Sequence, residues 1–127
     1  MVAPIAMRDL DELFRGLAGS RFRRQFRLQP GDAAYLRDKS LDTVMRHARD
    51  FIAQRLAPAQ PRNDGKQTPM RGHPVFVAQH ATACCCRGCL EKWHAIARGH
   101  ELTAPEREHV LLAMRRWLLS QLRDEST

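Results

Sequence analysis

Leu10, Leu13, Phe14 and Leu17 recur at i, i+3, i+4 and i+7, which predicts an amphipathic helix over residues 5–18, ended by Gly19 and Ser20. Asp9, Asp11 and Glu12 fall early in it, where the helix dipole favours negative charge. In residues 21–28 the spacing of Phe22 and Phe26 suits a helix and that of Phe26 and Leu28 suits a strand, so the pattern leaves the conformation open. Pro30-Gly31-Asp32 marks a turn, with Asp32 the expected N-cap of a short helix through Tyr35 and Leu36. Leu41, Met45, Ala48 and Ile52 form one stripe, widened by Val44 and Phe51, and predict a central helix over 41–56. Pro58 and Pro61 stop it. Residues 57–74 then hold four prolines and two glycines without hydrophobic periodicity, a long loop expected to be ordered on the surface. Short helices are expected over 75–83 and 86–97, the second ending at Gly99. Thr103 and Glu106 form a capping box with Pro105 in the first turn, and Leu111, Met114, Leu118 and Leu122 supply the stripe of a last helix over about 104–122. Trp117 sits beside that stripe and reads as core packing. These elements predict a mainly α fold: a small single-domain helical protein over residues 1–127, with N-terminal helices over about 5–56, the Pro/Gly loop at 57–74 and a Cys/His-rich, metal-organised segment at 73–94.

With 127 residues, 43% of them hydrophobic, the chain has apolar material for one core. No run approaches the length of a membrane span, and the stretch from Met1 to Met7 soon meets charge, so neither a signal peptide nor a membrane segment is expected. The expected compartment is the reducing cytoplasm, where four crowded cysteines are thiols or metal ligands before they are structural disulfides. The formal charge of +7 is carried mostly by arginine, whose planar fork suits phosphate and carboxylate. Nucleic acid or another anionic ligand is therefore a candidate partner. Its candidate contacts are Arg21, Arg23, Arg24 and Arg27, the loop residues Arg62, Lys66 and Arg71, and Arg87 beside the cysteines. An arginine-rich composition serving only solubility explains the same charge.

The chemistry concentrates between His73 and His94, which enclose all four cysteines and three of the six histidines. Cys86-Arg87-Gly88-Cys89 is a C-x-x-C unit, the form in which two thiolates grip one zinc ion. The expected metal ligands are Cys86, Cys89, His94 and His80, with Cys85 and His73 as alternates, and zinc is the expected cofactor. Helical geometry qualifies that set, because positions 89 and 94 on one uninterrupted helix point about 140° apart. Either the C-x-x-C is a turn before the helix, or His94 is no ligand. Cys85 and Cys89, at i and i+4, share a face and are the next pair. The same thiols suit redox exchange, with Arg87 stabilising a thiolate, although no strand-helix-strand unit of thioredoxin type is predicted. They equally suit an enzyme, with a cysteine nucleophile served by His80, His94 or His73, or with open-site zinc served by Glu91. Buried cysteines acting as small hydrophobes are the plainest alternative. His47, His100 and His109 stand alone on other segments and read as ordinary polar residues. Gly65-Lys66-Gln67-Thr68 lacks the upstream glycine and the preceding strand of a phosphate-binding loop, which excludes a nucleoside triphosphatase of that type.

The run from Asn63 to Ala83, NDGKQTPMRGHPVFVAQHATA, followed by Cys85-Cys86-Arg87-Gly88-Cys89-Leu90-Glu91-Lys92-Trp93-His94, resembles a bacterial family, the domain of unknown function numbered 4186. The likeness spans roughly Phe22 to Leu122 and is most specific over 62–94. It implies a compact bacterial protein of this length. The family name assigns no activity, so no catalytic residue is carried over. In the family pattern the position of Cys84 is often Thr, while Cys85, Cys86 and Cys89 match, and Cys84 is thereby the least expected ligand.

Overall fold

Asp9 sets where the first helix begins. Its carboxylate accepts the N–H groups of Asp11 and Glu12 at 3.1 and 3.2 Å, so α1 runs Leu10–Ala18 and residues 7–9 precede it as non-helical chain. The expected start at residue 5 lies outside the residues described by the computed structural model, which are 7–125. Residues 21–28 divide between helix and irregular chain. α2 is a single turn, Arg21–Arg24, capped by the Ser20 hydroxyl, and the chain then runs without regular structure to Gln29. α3, Pro30–Lys39, begins two residues before the expected cap: Pro30 occupies its first turn, where no N–H is required, and Asp32 lies inside the helix as first-turn charge.

α4 spans Leu41–Arg55 and carries the predicted stripe, with Val44, Ala48 and Ile52 buried. Residues 56–73 form the long loop, free of helix and strand. α5 follows over Pro74–Ala81 and is buried along its whole length, a helix enclosed on every side and therefore central. α6, Arg87–His94, is shorter than expected because Ala95 turns left-handed at its C-terminus (φ 60°, ψ 37°) and donates its N–H back to Leu90. α7, Ala104–Glu125, starts at the predicted box: Thr103 N–H donates to Glu106 Oε1 at 2.9 Å and Glu106 N–H to Thr103 Oγ1 at 3.2 Å.

Among the described residues the fold is these seven helices and no strand, in one small domain. α4, α5 and α7 pack against one another, α3 lies across α4 and α5, and α2 joins α1 to α5. Ile52, Val75, Ala78, Val110, Met114 and Leu118 are fully buried in the shared core, and Trp117 is buried beside them. No helix among the described residues is long and apolar enough to cross a membrane.

Candidate metal centre

Thr82 is the C-cap of α5, and the chain reverses through Ala83 (φ 58°) before α6 begins, so Cys84, Cys85 and Cys86 lie on the connection between two helices. Three fastenings hold that connection. Thr68 Oγ1 donates to the Cys85 carbonyl at 2.9 Å, Gln79 Nε2 donates to the Cys84 carbonyl at 3.0 Å, and Asp64 Oδ1 accepts the Arg87 N–H at 3.1 Å. The first and third come from the 56–73 loop, so loop and cysteine connection form one ordered unit. Asp64 also accepts from Gln67 Nε2; burial opposes its charge, but these hydrogen bonds and nearby Arg98 and Arg87 hold its carboxyl below the usual range.

Cys86 is the N-cap of α6, and its sulfur accepts the Cys89 N–H at 3.4 Å. Cys85 lies 3.6 Å from Cys89, sulfur to sulfur. The ligand atoms of Cys85, Cys86 and Cys89 all lie within 4.8 Å of one another, the one group of three or more metal-ligating side chains that meets among the described residues. Tetrahedral zinc with bonds of about 2.3 Å separates its sulfurs by about 3.8 Å, so this cluster is of metal-binding dimensions. Cys85 is buried, and Cys86 and Cys89 are half-buried and open toward solvent.

Arg23 closes the cluster from α2. Its guanidinium donates to Cys89 Sγ at 3.1 Å, to Cys85 Sγ at 3.7 Å and to the His80 carbonyl at 2.7 Å. The rings of Phe22 and Trp93 lie 5.0 and 5.8 Å from it. Burial works against the charge of Arg23, but hydrogen bonds and the field of the Cys85 and Cys89 sulfurs outweigh it and raise its pKa further. The Cys85 thiol is raised, first by its hydrogen bond with Cys86 and then by burial, with Cys89 and Arg23 pulling the other way.

The histidines expected as ligands are directed elsewhere. Cys89 stands in the first turn of α6 and His94 is its last residue, so both sit on one helix and face different ways. His94 is fully buried; its Nε2–H donates to the Thr82 carbonyl at 2.8 Å, which leaves Nδ1 to accept from His109 Nε2 at 3.0 Å. His80 donates from Nε2 to the Thr68 carbonyl at 3.1 Å and stacks on Phe26. His73 caps α5: Nδ1 accepts the Val75 N–H at 3.0 Å, so Nε2 carries the proton and donates to His47 Nδ1 at 3.1 Å. Neither His73 nor His94 has a ring nitrogen to spare, and the expected Cys2His2 set does not assemble. The histidines that look isolated in the sequence are the partners of those in the segment, His47 with His73 and His109 with His94, while His100 bonds Glu106 at 2.7 Å.

Arg87 corrects a second expectation. It is 1% exposed, and its guanidinium donates to the carbonyls of Leu56, Pro58, Ala97 and His100 at 2.8–3.4 Å, so it is an internal clip and not a contact for an outside anion. Arg62, Lys66 and Arg71 are exposed on the loop. A cysteine nucleophile with a histidine base does not form around the cluster either. The Cys–His contact present is Cys84 to His94 at 3.4 Å, where Cys84 is wholly buried and burial pushes its thiol up to about 12. Glu91 is exposed and accepts the Arg98 N–H. Arg23 is the site residue that the sequence conceals. Its neighbours in the chain suggest only a nucleic-acid contact, and no local signal ties position 23 to positions 85 and 89.

The family described as Domain of unknown function (DUF4186) matches residues 11–119 of the chain. No solved structure matches it.

Proposed function

For a chain that belongs to the DUF4186 family, we propose the role of a small metal-binding protein that holds one thiophilic ion, zinc in the first instance, through Cys85, Cys86 and Cys89. The observation that carries this reading is the meeting of three sulfurs within 4.8 Å at the N-terminus of α6, two of them, Cys85 and Cys89, accepting from the Arg23 guanidinium. The ion's role is structural: it reinforces a cysteine connection that Thr68 and Asp64 already tie to the 56–73 loop. Elemental analysis of protein reconstituted with zinc is expected to find about one ion per chain, lost in Cys86→Ser and Cys89→Ser. Protein that takes up no stoichiometric metal, and whose melting a strong chelator leaves unmoved, overturns the proposal.

The exposure of Arg62, Lys66 and Arg71 on the fastened loop, with Arg21, Arg24 and Arg27 exposed on and after α2, supports a second element of the reading: contact with the phosphates of a nucleic acid. Each phosphate contact is expected to add about one unit to the slope of log affinity against log salt concentration. A flat slope removes this element and leaves the metal site standing.

A further inference from the structure

Arg23 is 8% exposed and has no carboxylate partner among the described residues; what its charge faces is sulfur. A buried cation is costly unless it is paired or hydrogen-bonded; Arg87 meets that cost with main-chain carbonyls, whereas Arg23 has the His80 carbonyl and otherwise faces sulfur, so negative charge on the sulfurs stabilises it. The charge they supply depends on the ion bound. Three thiolates leave a filled site at −2 around a monovalent ion, −1 around a divalent ion and zero around a trivalent centre. A fixed positive charge stabilises these in proportion.

Resting on the metal-site reading above, we infer that Arg23 is the specificity-determining residue of the cluster and selects soft ions of low charge, monovalent copper most and divalent zinc next, over trivalent arsenic. Arg23 is a positioning group and no ligand, because a guanidinium stays protonated and has no lone pair to give. Cuprous or zinc ion displaces three protons from three thiols, forming three metal–sulfur bonds. Arsenous acid forms three arsenic–sulfur bonds and releases three waters, with no change in net charge. All three probes use the same sulfurs and differ in the charge they leave behind. A merely structural role for Arg23 predicts equal losses when it is removed, and an electrostatic one predicts graded losses.

The test is affinity of the full chain for each probe alone, at one pH and ionic strength, in wild type, Arg23→Met and Arg23→Lys. Competition with chromophoric chelators reads cuprous and zinc ions, and quenching of Trp93 fluorescence reads arsenite. Removing one charge that interacts at short range in a partly screened site is expected to weaken zinc about tenfold and cuprous ion about 100-fold, with arsenite unchanged within about twofold. Arg23→Lys is expected to keep most of the gradient. Equal losses for the three probes, or cuprous affinity unaffected by Arg23→Met, overturn the inference. Should Arg23→Met not fold, Arg23→Gln compared with Arg23→Lys is expected to show the same gradient, and equal losses in that pair overturn the inference in the same way. Wild type that binds none of the three stoichiometrically overturns the metal-site reading itself, which no variant result imitates.

Discussion

Arg87 brings a full charge into the interior and satisfies it with main-chain carbonyls from both sides of α6: Leu56 and Pro58 before it, Ala97 and His100 after. Its Nε is the one buried side-chain nitrogen or oxygen without a partner among the described residues, so the clip works through its two terminal nitrogens. Arg87→Ala strands four carbonyls that its guanidinium serves and is expected to cost about 3 kcal/mol or more. Arg87→Lys, which keeps charge but lacks the planar fork, is expected to recover less than half of that loss. Urea unfolding of both variants checks this, and a lysine variant as stable as wild type would refute the role of the fork.

His94 carries a pH prediction. Burial, with some help from His109 and Arg8, lowers it to about 4 in the fold despite the Thr82 carbonyl, while the unfolded chain titrates near 6.5. The folded state therefore holds a neutral imidazole that the unfolded state protonates first. Its contribution to stability is complete above pH about 6.5 and is lost as pH falls toward 4, by up to about 3 kcal/mol. His73, lowered to about 4 by burial and by His47, titrates over the same window, with a smaller effect because it is only half-buried. Denaturant midpoints measured at pH 7, 5.5 and 4 should fall steeply in wild type and less steeply in His94→Gln.

At the scale of elements, the helices whose stripes face a common core are legible in the sequence. The runs from Leu41 to Ile52 and from Leu111 to Leu122 announce α4 and α7 because burial on one side of a helix repeats every turn. Boundaries set by a single side chain are legible where the motif is local, as at Thr103 and Glu106. They are obscured where another local choice wins, as at Pro30 over Asp32 and at Ala95, an alanine doing what glycine usually does. The candidate site divides the same way. Cys85, Cys86 and Cys89 are neighbours in the chain, so spacing alone brings them together on paper. Arg23 meets Cys89 from 66 residues away, His47 meets His73 from 26 and His109 meets His94 from 15, and only the packing of helices creates those pairs. Arg87 ties the start of the loop before α5 to α6 through Leu56 and Pro58, and Asp64 ties its middle, so Asp64→Ala is expected to cost about 1 kcal/mol and to raise the rate of proteolytic cleavage within 62–72 several-fold. An unchanged cleavage rate would mean that the Thr68 bonds to Cys85 and His80, with the Arg87 clip, hold the loop without Asp64.

For the whole molecule, the apolar core and the thiol cluster are separable. Ile52, Val75, Val110, Met114 and Leu118 pack α4, α5 and α7 together without using the sulfurs of Cys85, Cys86 or Cys89. Chelator is therefore expected to lower the melting temperature and leave the helical signal in far-ultraviolet circular dichroism at about 25 °C. Loss of that signal on chelation would show that the core cannot stand without the ion. The sulfurs are also held in advance by the Thr68, Gln79 and Asp64 bonds, so ion uptake orders little further chain.

The left-handed bend at Ala95 has an engineering consequence. A methyl group there crowds the backbone that a bare hydrogen would leave at ease, so the chain carries a small standing load where α6 gives way to the residues that Arg87 grips. Ala95→Gly should release it, raising stability by about 0.5 kcal/mol net of the looser unfolded chain, a gain that thermal melting would register. The same exchange at Ala83 would instead hollow out a fully enclosed spot beside the cysteines, so the two alanines, alike in torsion, should answer glycine in opposite directions.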